Sequence, residues 1–373
     1  MWGKSPAIIV HEHFPFNAEA ARSALARDQI TALDTFYCRN HGPIPEISVN
    51  EWRLDVGGLV TKPLSLSFEE LRSAFSPHTV IATLQCAGNR RVEFNAVHDI
   101  AGEDPWGSGA TSTAEWSGAR LADVLAAAGA RRDDGLHVAF TAPDVSELAL
   151  PAQPYGGSIP LAKAMSEEVL LAWEMNRQPL PRIHGGPVRV LVPGYIGARS
   201  VKWVNSITVQ AVPSQNYFQA VAYRILPADS DPHAAGPGEG ISLSSVLLNC
   251  DILVPDDGAA CAPGPLTIRG YAFADGDRGV ARVDVSLDEG ATWRQAILEP
   301  ACSRWAWRHW SLTVDAEPGP LTVTARAWDT TGATQPESPA ALWNPQGYAN
   351  NSWARVRLQI TEAGSQPVAE AAE

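Results

Sequence analysis

Residues 227–240 read PADSDPHAAGPGEG, and the chain changes character across them. Proline, glycine and aspartate without periodicity mark a linker rather than a helix or strand. Beyond it, LTIRGYAFADG, ARVDVSLDEGATW, LTVTARAWD and WARVRLQI all alternate apolar and polar residues, separated by the turn signals DGD, DEG and TTG. A period of two puts one side of every strand in a core and the other in water. The second half is therefore expected to fold as an immunoglobulin-like antiparallel β-sandwich. It lacks a Cys…Trp…Cys framework, which argues against a true antibody-type domain.

Before the linker no single period dominates. Asn17 ahead of AEAARSAL is a candidate helix cap. SFEELRSAF opens with Ser67 and has Glu70 three residues later, a capping-box pattern. ARLADVLAAAGA reads as a helix closed near Gly129, and SEEVLLAWEM as another with acids in its first turn. TVIATL, LHVAF and PVRVLV read as strands. A length of 373 residues exceeds one ordinary core. The expected organisation is α+β: a mixed α/β domain over 1–235, the sandwich over 236–362, and a mobile tail over 363–373.

The formal charge is −13, which excludes nucleic acid as a partner held by bulk charge. An anionic ligand would have to be gripped by local arginines. No run of about 18 apolar residues suggests a membrane span. MWGKSPAIIVHEHFPF shows no apolar signal core and no twin arginine, which points to the cytoplasm, or to the periplasm if a signal has been removed. The five cysteines have no paired spacing, as in a reducing compartment, and no zinc signature.

One cysteine stands out. In LQCAGNRR, residues 84–91, Cys86 ends an apolar strand-like run, enters a Gly/Asn turn expected to have unusual backbone angles, and is followed by Arg90 and Arg91. Adjacent cations lower a thiol's pKa, and a thiolate is either a nucleophile or a soft metal ligand. A nucleophile would need a base, and His41 or His184 could supply one. An inert buried cysteine fits the local motif equally well. Two further cation-rich Pro/Gly segments weigh against inertness: FYCRNHGPIP (36–45) brings Arg39, Asn40 and His41, and residues 173–203 bring His184, Arg189, Arg199 and Lys202. Such loops suit a ligand with phosphate and ring heteroatoms.

Taken with WEMNRQPLPRIHG, PVRVLVPGYIGARSVKW and WAWRHW, these motifs resemble the sulfite oxidase family of molybdenum enzymes, from about Phe36 to about Leu358. GYAF, VDVSLDEGATW and LWNPQGYANNSWARV resemble that family's dimerisation domain. No room for a cytochrome b5-like domain precedes Phe36, so the resemblance is to haem-free members. It implies a molybdopterin-binding catalytic domain followed by a homodimerising one. It also implies oxygen-atom transfer to sulfite, with electrons passed to oxygen or a separate cytochrome c-like carrier.

By that resemblance Cys86 ligates molybdenum. The pterin is held by Tyr37, Cys38, Arg39, Asn40 and His41, by Asp144, His184 and Arg189, and by Ser200, Val201 and Lys202. Arg39, Arg91, Trp106, Tyr223 and Arg308 form the substrate pocket, and Arg90 has no assigned role. Planar guanidinium groups suit a small oxyanion. Three positions depart from the family pattern: Ile183 where an acid is usual, Ser200 where histidine is common, and Arg224 where lysine is frequent. The alternatives are a nitrate reductase-type molybdenum domain and an inactive molybdopterin-binding scaffold.

Overall fold

The structure is a computed structural model that describes residues 1–100 and 102–361. The tail expected at 363–373 lies outside the described residues. The protein is mostly sheet. Among the described residues the longest helices, Phe68–Ala74 and Leu121–Ala127, have seven residues each.

Two five-stranded sheets carry the first half. In one, Pro77–Gln85 pairs with Thr111–Arg120, which pairs with Leu170–Met175, flanked by Gln178–Pro179 and Arg189–Leu191. In the other, the spatial order is Leu64–Ser67, Arg53–Gly58, Ser206–Gln210, His137–Ser146 and Gln153–Pro160. The capping box forms as the sequence predicts: the Glu70 N–H donates to Ser67 Oγ, and Glu70 Oε2 accepts from the Ser67 N–H. Leu121–Ala127 ends before Gly129 at φ +63°, where a Cβ would also strike Thr61 Oγ1.

Two predicted helices are corrected. SEEVLLAWEM forms the strand Leu170–Met175. Leu170, Leu171, Ala172 and Trp173 are all buried, so the run shows no polar face that would separate strand from helix. Asn17 lies in the strand Phe16–Glu19, where its Oδ1 accepts from the Asn40 N–H at 2.7 Å. The helix that follows, Arg22–Leu25, is a single turn preceded by Ala21. The first half is accordingly sheet-dominated rather than evenly mixed.

Residues 227–240 form neither helix nor strand. Arg224 gathers their end by donating to the carbonyls of Gly238 and Gly240, each at 2.8 Å, and of Glu239. The predicted alternating runs are all strands. Asn249–Val254, Gly264–Phe273, Arg308–Ala316 and Ile297–Leu298 make one sheet. Val280–Ser286, Gly319–Asp329, Ala354–Ile360, Arg294–Gln295 and Ala260–Cys261 make the second. Inward residues of both, including Ile252, Ile268, Val314, Val283, Val323 and Val356, share one core. The short Ala260–Cys261 strand pairs parallel to its neighbour, so this half is not wholly antiparallel as expected.

The halves are closely joined. Tyr271, Phe273, Trp307 and Tyr348 from the second belong to the main core of the first. Fully buried Arg90 is the central strut: it pairs with Glu93 at 2.7 Å and donates to the carbonyls of Cys250, Ser352 and Trp353.

Candidate active site

The strand Pro77–Gln85 is held on its neighbour through Gln85↔Thr111, and the chain then turns sharply. The Cys86 N–H donates to Ala110 O, the Asn89 N–H to Cys86 O, and the Arg91 N–H to Gly88 O. The left-handed residue of this turn is Arg90, at φ +64°, not the glycine or asparagine the sequence suggests. Gly88 is required for a different reason. A Cβ there would lie 2.6 Å from Arg91 Nη2, so the glycine lets that guanidinium lie across the turn.

Cys86 sits where two cavities meet. One is lined by Tyr37, Cys38, Arg39, Asn40, His41, Cys86, Asp144, His184, Arg189, Ser200, Lys202 and Tyr223. The other shares Arg39, His41, Cys86 and Tyr223 and adds Arg91, Glu103, Gln346 and Tyr348, together with His233 of the linker. Thirteen residues predicted for the site thus converge from distant parts of the chain.

Three do not reach either cavity. Arg308 donates to the carbonyls of Glu299 at 2.9 Å and Val280 at 3.1 Å, which hold it inside the second domain. Val201 is fully buried in the main core, its carbonyl accepting from the Val190 N–H. Trp106 is buried beneath the Cys86 turn, edge-on to His11, with its carbonyl accepting from the Val92 N–H.

Several lining residues were not legible in the sequence. Tyr155 stacks on His41 and donates to Ala198 O. Lys4 lines neither cavity but supports the wall from behind, approaching His184 Nε2 at 2.7 Å while donating to the Leu33 and Phe36 carbonyls. Glu103 belongs to no recognisable motif, and Gln346 lies in LWNPQGYANNSWARV, a stretch read only for its resemblance to the dimerisation domain; tertiary structure brings both to the cavity of Cys86.

The electrostatics differ from the local reading of the sequence. Burial pushes the Cys86 thiol above its ordinary range, and Arg91 and then Arg39 pull it back, while Arg90 is turned onto Glu93 and the Cys250 and Ser352 carbonyls. Burial also drives His41 well below the ordinary imidazole range, reinforced by Arg39 and Lys202. The Tyr223 phenol moves well above its ordinary range, chiefly by burial. Neutral His41, through Nε2, and the protonated Tyr223 hydroxyl share a hydrogen bond. Tyr223 is held for this contact at φ +57°, an uncommon conformation for an aromatic residue. In the first cavity, burial raises Asp144 and lowers Lys202. Lys202 donates to Arg39 O at 3.0 Å and to Asn40 Oδ1. Arg189 is fixed by the carbonyls of His184 at 2.9 Å and Ser200 at 2.8 Å.

Residues 41–218 match the family model of the oxidoreductase molybdopterin binding domain, and residues 244–361 that of the Mo-co oxidoreductase dimerisation domain. The chain is 39% identical over 385 residues to sulfite oxidase of Arabidopsis thaliana, covering 96% of this chain and 95% of that one. The chain belongs to the sulfite oxidase family. Mitochondrial sulfite oxidase of Mus musculus is 43% identical over 367 residues; the match covers 96% of this chain but only 66% of that protein's length. The sulfane dehydrogenase SoxCD of Paracoccus pantotrophus superposes with a TM-score of 0.78 at 26% identity, over 96% of this chain and 88% of that one.

The first cavity fits the molybdenum cofactor of the sulfite oxidase family. Its wall offers Arg39, Arg189 and Lys202 against the single acid Asp144, whose buried Oδ1 has no hydrogen-bond partner. Those charges suit a phosphate, and the orphaned oxygen suits a pterin N–H. Among the described residues no group of three His, Cys, Asp or Glu side chains could hold a metal ion.

Proposed function

We propose that this protein oxidises sulfite to sulfate in the second cavity, with Cys86 as the protein ligand of molybdenum. The observation that carries this reading is the shared wall: Cys86 faces both a cation-rich cavity suited to the cofactor and a smaller set of guanidinium groups suited to an oxyanion. When bound, the molybdenum cofactor supplies the redox centre: sulfite and water become sulfate, two protons and two electrons.

The chain's residues position and neutralise. Arg91 Nη2 and Arg39 Nε and Nη2 make no hydrogen bonds among the described residues, so both guanidinium groups keep donors for an oxyanion. Tyr223 carries its proton on a hydroxyl fixed by His41, at the boundary of both cavities. Tyr37, Asn40, His184, Arg189, Ser200 and Lys202 would hold the pterin and its phosphate. Ser200 Oγ accepts from the Val192 N–H at 2.9 Å and keeps its own O–H as a donor toward the cavity.

The protein loaded with cofactor should form sulfate from sulfite and leave nitrate unreduced. Reduction of nitrate without sulfite turnover would transfer the assignment to a nitrate reductase. The electrons pass to oxygen or to a separate cytochrome c-like carrier. With a formal charge of −13, a basic carrier would be steered to the surface. Turnover with such a cytochrome should fall as salt rises; a salt-independent rate removes steering.

We also infer that the two-sheet second half is of immunoglobulin-like type and pairs two copies of the chain. Sedimentation should give twice the chain mass; a monomer at micromolar concentration contradicts the pairing.

A further inference from the structure

The second cavity contains its own anions. Residues 103 and 104 follow Gly102, which has φ +78° and open space around it, and their two carboxylates face the two guanidinium groups. Glu103 Oε2 lies 3.1 Å from Arg91 Nη1, and Asp104 Oδ2 lies 3.8 Å from Arg39 Nη1. The pairs differ in strength. Asp104 is beyond hydrogen-bond distance of Arg39, whereas Glu103 is at ion-pair distance from Arg91 and lines the cavity.

Arg91 cannot withdraw from this competition. The Asp104 carbonyl holds Nη1 at 2.8 Å, the Gln346 carbonyl holds Nε at 3.1 Å, and the ring of Tyr348 lies 5.4 Å from the guanidinium carbon. Glu103 is the movable partner. Its side chain keeps 28% exposure, against 2% for Arg91, and no other contact ties its carboxylate down among the described residues. Solvent can take up that carboxylate at little cost when Arg91 is approached by another anion.

The geometry points to Glu103 as a built-in competitor for the oxyanion, holding Arg91 in the resting protein and displaced when substrate binds. This rests on the sulfite reading above and adds to it a residue that sets anion affinity. The resident carboxylate weakens every anionic ligand of Arg91 alike, product as well as substrate. It therefore lowers affinity while easing the departure of sulfate.

Removing the charge should tighten anion binding. In cofactor-loaded Glu103→Gln, KM for sulfite and the calorimetric Kd for sulfate should both fall about fivefold, the scale of one partly exposed ion pair. Glu103→Ala should do the same. The gain should vanish when Arg91→Gln is added. Unchanged or weaker affinity in both single variants overturns the inference, as does a gain that persists without Arg91. Tighter sulfate binding in a protein with no sulfite turnover would support Glu103's role and sink the sulfite assignment.

Discussion

At the residue scale, the most constrained neighbours of Cys86 are Gly88 and Arg91. Because a Cβ on Gly88 would meet the Arg91 guanidinium at 2.6 Å, Gly88→Ala should displace that group and raise KM for sulfite about tenfold. Molybdenum content should stay near that of the parent, since Cys86 is untouched. A parental KM would show that Arg91 does not bind substrate. Most of this surrounding was legible in the sequence because LQCAGNRR and FYCRNH are contiguous and keep their geometry through local hydrogen bonds. Arg308 was not, because which part of a β-domain reaches a distant cavity depends on the packing of its loops. The strand Arg308–Ala316 turns its arginine onto the Glu299 and Val280 carbonyls, while residues 346–348 make the approach instead.

At the element scale, Arg90 and Arg91 are adjacent in sequence but serve different structures. The left-handed backbone of Arg90 sends its side chain away from Cys86 into the second half, and Arg91 opens the helix Arg91–Asn95 facing the cavity. Arg90→Met would leave Glu93 and Asp251 without their shared partner and strip donors from three carbonyls. A loss of about 3–5 kcal/mol is expected in chemical denaturation. A loss within error would mean that the two halves are held by their shared core alone. The misread strand Leu170–Met175 teaches a related point. The short buried apolar run Leu170–Trp173 carries no period, and the strand's longest partner in the sheet, Thr111–Arg120, lies far away in sequence.

At the scale of the whole molecule, the site is a buried seam between elements of both halves, and its charge state is linked to folding. His41 and His184 are both held well below the ordinary imidazole range, first by burial and then by neighbouring cations. A depressed pKa means that the unfolded chain takes up these protons more readily. Their contribution to stability is thus fully present above the ordinary histidine value and is lost as the solution is acidified. Stability should decline by about 1.4 kcal/mol per pH unit for each histidine below about pH 6.5. Denaturation between pH 7.5 and 5 checks this, and His41→Asn should flatten the slope; an unchanged slope would show that His41 already titrates normally in the fold.

The central claim is that Cys86 joins the cofactor cavity to the cavity in which sulfite is oxidised. Its most direct test is sulfate formed per molybdenum bound, measured side by side for the parent protein and for Cys86→Ser after exposure to the same cofactor supply. Saturable sulfate formation by the parent is expected, with turnover per molybdenum lost in the variant while its fold is retained. A loaded parent that forms no sulfate, or a Cys86→Ser protein that forms it at the parental rate, would contradict the claim.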